Sequence, residues 1–492
     1  MNDRVEYITV EPGTLHELLE LLLGRGGRMQ MAYAWFPRPA VTEVRYLAAP
    51  GAGQPLQVWQ CQAEHGSLPS LALRAPLLGW YEREMQDLYG LTFEGHPESC
   101  PLVIDGAVRG AGPLQRGGPF DPSLRAPLSL PQVSDPQVQL LSFGPVRADV
   151  MESAQFLFFY LGEAIMHYQP RLSFKHRGME TCFEGTDPLV GSVLAERVSG
   201  VGSVAHGLAY CQAVEDAADC LVPLRARQLR VLLAELERLY NHLHYFGALA
   251  DATTLKVGQA EGRLLEEKVK QLAGRLSGQR FMRNLLTPGG LRRDIALPAD
   301  LPDTLSRLRD EVESYLTQLE RTTSYLDRLI TTGVLTREVA FDQGATGPVE
   351  RASGLDRDLR RDHPYAAYAD LPVAVPLAAE GDAYARARVR AAELRVSFDL
   401  IELLLSQLQP GEIRATCIPR PSSCGLGWAE SPRGSLYYAV HLDERGALAR
   451  VKIKSPSFSN WRAFPFTVHQ SNMMDYAINE ASFGLTIAGC DR

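Results

Sequence analysis

The sequence predicts an α+β protein: a small N-terminal α/β domain over residues 1–97, a Pro/Gly-rich linker over 98–143, and a large, mainly α-helical bundle with a small β-sheet over 144–492. Three observations predict it. The first hundred residues mix short strand-like alternation with short helical stretches. From Pro97 to Pro145 there are nine prolines among many glycines, too rich for a helix or a central strand. Beyond them, apolar residues recur at helical spacing over segments long enough to pack as a bundle.

In the N-terminal part, Leu15 to Leu23 reads as a helix, Val44 to Leu47 and Leu56 to Cys61 as strands, and Trp80 to Tyr89 as a second helix. In the large part, helical spacing is read over Met151 to Met166, Leu224 to Ala250, Glu261 to Leu276, Leu301 to Leu329 and Tyr384 to Gln407. The stretch Tyr437 to Ile453 alternates like a β-hairpin around Asp443-Glu444-Arg445-Gly446.

Composition sets further bounds. With 492 residues, 45% hydrophobic and 22% charged, the chain has the make-up of a globular protein of two or three domains. A formal net charge of −8 argues against a nucleic-acid partner, and the basic run Arg225 to Arg230 reads as a solvated helix face. The eight cysteines contain no CxxC pair, so their spacing implies neither a zinc ribbon nor an iron–sulfur ligand set. Met1 to Glu6 has no signal-peptide pattern, and the apolar run Phe156 to Leu161 soon meets Glu163. The expectation is a cytoplasmic protein that reaches a membrane only through partners.

Several segments have the character of motifs. Tyr81-Glu82-Arg83-Glu84-Met85-Gln86-Asp87-Leu88-Tyr89-Gly90 leads into Phe93-Glu94-Gly95-His96-Pro97. Further on come His176-Arg177-Gly178-Met179-Glu180, Leu236-Glu237-Arg238-Leu239-Tyr240-Asn241-His242 and Thr287-Pro288-Gly289-Gly290. Gly347-Pro348-Val349-Glu350-Arg351 follows with Asp358-Leu359-Arg360, then Pro432-Arg433-Gly434 and Val451-Lys452-Ile453-Lys454-Ser455-Pro456-Ser457-Phe458. Gly200-Val201-Gly202-Ser203-Val204-Ala205 satisfies a dinucleotide pattern, but helix-like residues precede it and no βαβ spacing surrounds it. His206, with no second ligand at metal spacing, reads as a hydrogen-bonded core histidine, as do His242 and His244. Arg177 and Glu180, three apart, are readable as an internal ion pair or as cavity residues. Arg351, Asp358 and Arg360 read as a salt-bridge network that braces loops.

The first of these segments resembles the signature of the 30-kDa subunit of respiratory complex I. The remainder resembles the family shared by nickel-iron hydrogenase large subunits and complex I 49-kDa subunits, and the fused order resembles formate-hydrogenlyase-type large subunits and the fused complex I subunit of some bacteria. Glu196 to His206 resembles the hydrogenase segment E-R-V-C-G-I-C-S-V-A-H, and Ser482 to Arg492 resembles the end of the membrane-bound group. Aligned so, the four metal-binding thiolates of the family fall on Ser199, Gly202, Thr486 and Gly489. Hydroxyls that stay protonated and glycine do not supply the soft sulfur donors such a centre needs. Cys490 lies one position past the last of them, and a single thiol makes a poor binuclear site. The alignment also places Met151 and Gly200 where complex I carries its quinone-binding histidine and tyrosine.

The resemblance therefore implies a peripheral-arm subunit of a membrane-bound, complex I-like redox assembly without a nickel-iron centre. The chain is expected to hold no cofactor of its own; quinone is a candidate carrier, and an iron–sulfur cluster is expected on a partner subunit. The implied partners are that iron–sulfur small subunit and ion-translocating membrane subunits. Arg177, Glu180, Ser199, His206, Arg433, Thr486 and Asp491 are the expected lining of the former metal cavity, with Arg433 and Arg492 expected to meet Glu180, Glu184 or Asp491. The rival reading is a non-catalytic scaffold whose old cavity is filled.

Overall fold

The computed structural model describes residues 4–38, 41–98, 100–104, 112–114, 133, 135–147, 152–469 and 471–492. The N-terminal domain is built on strands β1 (Val5–Val10), β2 (Arg28–Arg38), β3 (Val41–Ala49) and β4 (Leu56–Gln62), with helix α1 (Leu15–Gly24) between the first two. The sheet order is β1-β4-β3-β2, with β1 parallel to β4 and the other pairs antiparallel. The sequence pattern predicts β3, β4 and α1 but neither β1 nor β2. β1 alternates only weakly, and β2 is buried along its first seven residues, so it shows no period of two. A short β5 (Ser67–Pro69) pairs with β6 (Thr92–Glu94), and between them lies α2 (Gly79–Tyr89), stopped by Gly90 in the left-handed conformation, φ 69°.

The predicted helix over Met151 to Met166 is not present in the described part of that segment. Residues 152–171 instead supply β8 (Gln155–Leu161) and β9 (Ala164–Arg171), which form an antiparallel meander with β7 (Gln139–Phe143). An apolar run of this length fits either state by periodicity alone, and the turn at Gly162, φ 60°, decides for a hairpin. β7 also shows that the expected linker ends in ordered sheet; most of its length lies outside the described residues, as does Met151.

The bundle follows: α3 (Met179–Cys182), α4 (Pro188–Val198), α5 (Ser203–Ala218), α6 (Leu224–Ala252) and α7 (Lys256–Ser277), then a β10 (Leu286–Thr287) and β11 (Gly290–Leu291) hairpin. The predicted continuous helix Leu301 to Leu329 is two helices, α8 (Leu301–Arg321) and α9 (Thr323–Leu329), because Thr322 is extended (φ −88°, ψ 95°). Short helices α10 (Arg337–Asp342), α11 (Pro348–Ala352) and α12 (Leu359–Asp362) precede the long α13 (Ala383–Gln407). The β12 (Cys424–Ser431), β13 (Gly434–Leu442) and β14 (Leu448–Lys454) meander lies against α5, and α14 (Pro456–Ala463), α15 (Tyr476–Phe483) and α16 (Ile487–Asp491) close the chain.

Helix α6 is the axis of the bundle, packed on α5, α7, α13 and α15 and buried on nearly every face. Its crossing with α7 depends on glycine: a Cβ on Gly262 would lie 2.9 Å from Gly247 Cα. Much of the charge buried with these helices is paired. Arg351 meets Glu393, Glu430 (3.0 Å) and Asp358 (3.4 Å), while Arg360 meets Asp358 (2.8 Å) and Glu235 (3.2 Å), all in fully or almost fully buried side chains. The predicted bracing network is therefore present, but in the core rather than on loops. None of the helices among the described residues is long and apolar enough to cross a membrane.

Candidate functional site

Two chain segments far apart in sequence carry the four positions aligned with family thiolates. Helix α4 ends at Ser199, α5 starts after Gly202, and Thr486 caps α16, whose interior holds Gly489. Arg177 joins the segments: its guanidinium donates to the carbonyls of Arg197 (3.0 Å), Val198 (2.6 Å) and Ala488 (3.2 Å). From the other side Arg433 donates to Gly484 O (2.8 Å) and to Asn241 Oδ1 (2.7 Å), while Asn241 donates to Val201 O (2.9 Å). Asn241 and Glu237, both from the L-E-R-x-x-N-H segment on α6, thus fix the start of α5, where Glu237 accepts from Val204 N (2.7 Å) and Ala205 N (2.9 Å).

The donor set at this point is hydroxylic. Thr486 Oγ1 accepts from Gly489 N and lies 3.2 Å from Ser457 Oγ, which itself accepts from Thr486 N (3.2 Å). A Cβ on Gly489 would stand 2.6 Å from Thr486 Oγ1, so a side chain there requires Thr486 to give up its cap. A Cβ on Gly202 would meet only His206 Cδ2, at 3.5 Å, among side chains. These residues do not fit a nickel-iron centre: hydroxyls and glycines offer no thiolate, and the Thr486 hydroxyl is committed to α16. Among the described residues no group of three or more His, Cys, Asp or Glu side chains is placed to hold a metal ion. The nearest thiol in sequence, Cys490, is buried, and burial pushes its pKa well up, away from thiolate.

The electrostatics of the site are cationic. No carboxylate among the described residues lies within 4.0 Å of the Arg177 or Arg433 guanidinium. His206, buried, shares a 2.8 Å hydrogen bond between Nδ1 and the Tyr438 hydroxyl, and burial followed by the charges of Arg177 and Arg433 pushes it down to about 3. It is a neutral core histidine, as read from the sequence. The Arg433 guanidinium is itself pushed down by burial and by Arg390. Glu152, which no sequence motif marks, accepts from the N-terminal amides of α16, from Ile487 N and from Ala488 N (3.1 Å).

The structure separates the other expected residues from this place. Glu180 does not pair with Arg177; it lies against Arg450 (2.8 Å), Lys452 (3.2 Å) and Arg492 (3.3 Å). There it meets Glu84 of α2, which contacts Lys452 (2.9 Å) and Arg492 (3.0 Å). Arg492 therefore meets Glu180 as expected, whereas Arg433 takes a carbonyl and an amide oxygen in place of the expected carboxylates. Asp491 turns to Lys175 N (2.8 Å), and its backbone carbonyl lies 2.8 Å from His176 Nδ1. Arg177, Ser199, His206, Arg433 and Thr486 remain as one group; Glu180 serves the seam with the N-terminal domain, and Asp491 is held by Lys175 and His176 within the larger domain. Ser457 and Asn241 belong to the group and lie in recognisable motifs, but spacing alone carries no sign that they face it.

Comparisons with known proteins bear on the family of the chain. Residues 263–423 and 418–492 match the family described as respiratory-chain NADH dehydrogenase, 49 Kd subunit; residues 177–275 match nickel-dependent hydrogenase; residues 8–122 match respiratory-chain NADH dehydrogenase, 30 Kd subunit. Formate hydrogenlyase subunit 5 of Escherichia coli is 30% identical over 85% of this chain and 75% of its own length. NADH-quinone oxidoreductase subunit 4 of Thermus thermophilus is 30% identical over 72% of this chain and 94% of its own. Among solved structures, a chain of an archaeal respiratory membrane complex, the membrane-bound sulfane sulfur reductase, superposes with a TM-score of 0.69 and 26% identity, over 73% of this chain and all of that one.

Proposed function

Because the chain belongs to the family that unites the complex I 49-kDa subunit with nickel-dependent hydrogenase large subunits, here preceded by a 30-kDa-type domain, we propose that it is a peripheral-arm subunit of a membrane-bound, complex I-like redox assembly. In this proposal its Arg177–Arg433 site takes a small electron carrier, a quinone being the first candidate, that receives electrons from an iron–sulfur cluster on a partner subunit. The assembly sits at the cytoplasmic face of the membrane through ion-translocating partners. The observation that carries this reading is that Arg177 and Arg433, with no carboxylate among the described residues within 4.0 Å, hold the backbone carbonyls of Val198, Ala488 and Gly484, which flank Ser199 and Thr486 in the chain.

The chemistry follows from charge. A carrier that accepts electrons gains negative charge before protons arrive, and fixed guanidinium and hydroxyl donors in a partly dry site stabilise that charge without reorganising. Arg177 is exposed and Arg433 half-buried. His206 is neutral and engaged by Tyr438, so it positions the wall and does not supply the proton.

Replacing Arg433 by Gln in the purified assembly should lower carrier-reductase turnover about tenfold to a hundredfold, the loss of one charge-assisted contact. The same set of proteins should still copurify. Equal loss of assembly would favour the second reading, a scaffold, which the mutual hydrogen bonds of Ser457, Thr486 and Gly489 favour.

A further inference from the structure

A cavity of about 280 Å³ lies between the two domains, and neither Arg177 nor Arg433 lines it. Its N-terminal wall is Gly26, Arg28 and Gln30 at the start of β2 with the turn after β3; its opposite wall comes from α11, α12 and the β12–β13 hairpin, including Arg357, Ser435 and Tyr437.

The charges around it do not cancel locally. Each lining carboxylate already has a cation: Glu350 faces Arg28 (3.2 Å), Asp358 takes Arg360 (2.8 Å) and Arg351, Glu430 takes Arg351 (3.0 Å), and Asp356 (2.6 Å) and Asp362 (2.8 Å) share Arg361. Two cations have no such partner among the described residues. Arg357 is held only by a bond to Gly26 O (3.0 Å) and its place over the Phe341 ring (5.2 Å). Lys454, just behind the wall, donates to Ser435 Oγ (2.6 Å) and Gln30 Oε1 (3.4 Å).

In the Arg28–Glu350 pair of the lining, Arg28 Nε and Glu350 Oε2 are both buried without a hydrogen-bond partner. Burial, and then the charge of Arg28, pushes Arg357 down to about 10 and Lys454 to about 7. Both cations are poorer in counter-charge than their burial requires.

We propose that this interdomain cavity binds a small oxyanion, a phosphate or carboxylate group either free or carried on a larger molecule, with Arg357 as its main partner and Arg28 and Ser435 in support. A guanidinium without a carboxylate, a second buried N–H and a hydroxyl are the donors that such a group accepts from. Bound there, it would bridge the domains, since Arg28 belongs to one and Arg357 and Ser435 to the other.

The test is the thermal midpoint of the full chain titrated with inorganic phosphate, and separately with succinate, against sodium chloride at matched ionic strength. A saturable rise with either probe is expected, and which probe acts identifies the oxyanion. Arg357→Gln should weaken the response about tenfold or more and Arg357→Lys should retain most of it. If Arg357→Gln does not fold, protection of Arg357 in the native chain from phenylglyoxal, read by peptide mass, takes its place. No response above chloride, an unchanged response in Arg357→Gln, or modification of Arg357 indifferent to both probes would overturn the proposal.

Discussion

Glu84 sits in an N-terminal helix, yet its carboxylate holds the last residue of the chain. With Glu180 it forms a buried group of two carboxylates against Arg450, Lys452 and Arg492. Taking these ions from water is costly, so the group need not stabilise the fold relative to an apolar seam, but removing one member strands the others. Glu84→Gln should lower the free energy of unfolding by about 3–5 kcal/mol in denaturant titrations. Burial alone would raise the Glu180 pKa, but Lys452, Arg450 and Arg492 hold it well below the usual carboxylate range. Its folded value is below its unfolded one, so its contribution is present above the unfolded value and is lost on acidification. Glu237 has the opposite sign: burial pushes it up to about 7 despite its bonds to Val204 N and Ala205 N. It favours folding while protonated, and that advantage fades as pH rises from the unfolded value through about 7. Glu237→Gln should therefore flatten the fall in stability measured by chemical denaturation between about pH 5 and pH 8.

At the scale of elements, helices are legible in the sequence where an apolar stripe faces one way. α7 and α8 alternate buried and exposed positions, and periodicity places them within a few residues, although the α8–α9 break at Thr322 carries no proline or glycine to mark it. β8 reads as helix because Phe156-Leu157-Phe158-Phe159 is apolar throughout, and such a run is consistent with either state. The α6–α7 crossing tests the packing argument. Gly262→Val places branched carbon where the Gly247 backbone already lies, so it should cost at least about 1–3 kcal/mol by thermal unfolding.

For the whole molecule, the two predicted domains meet at a shared seam. β2 and α2 face β14 and the C-terminus through the Glu84 group, Tyr33 Oη lies 3.1 Å from His441 Nε2, and Gly53 N donates to Asp362 O (2.7 Å). A chain lacking residues 1–97 should leave Lys452 and Arg492 without Glu84 and expose the seam. It should fold with a clearly lower thermal midpoint or remain insoluble, and co-expression of the separate N-terminal domain should restore it.

The sequence by itself determined the family, the α+β class, most of the long helices and the loss of the metal donor set, because each of these is a property of residue type at a fixed spacing. Ser199, Gly202, Thr486 and Gly489 cannot furnish thiolates in any conformation. The Arg351–Asp358–Arg360 network and the Arg492–Glu180 pair were legible in the sequence, but the tertiary structure decided most of the other charge pairings. It sent Glu180 to the domain seam, turned Asp491 to Lys175 N, gave Arg433 a carbonyl and an amide in place of a carboxylate, and seated Glu152 on α16. Pairing between distant residues depends on how helices and strands pack, and no local pattern records it.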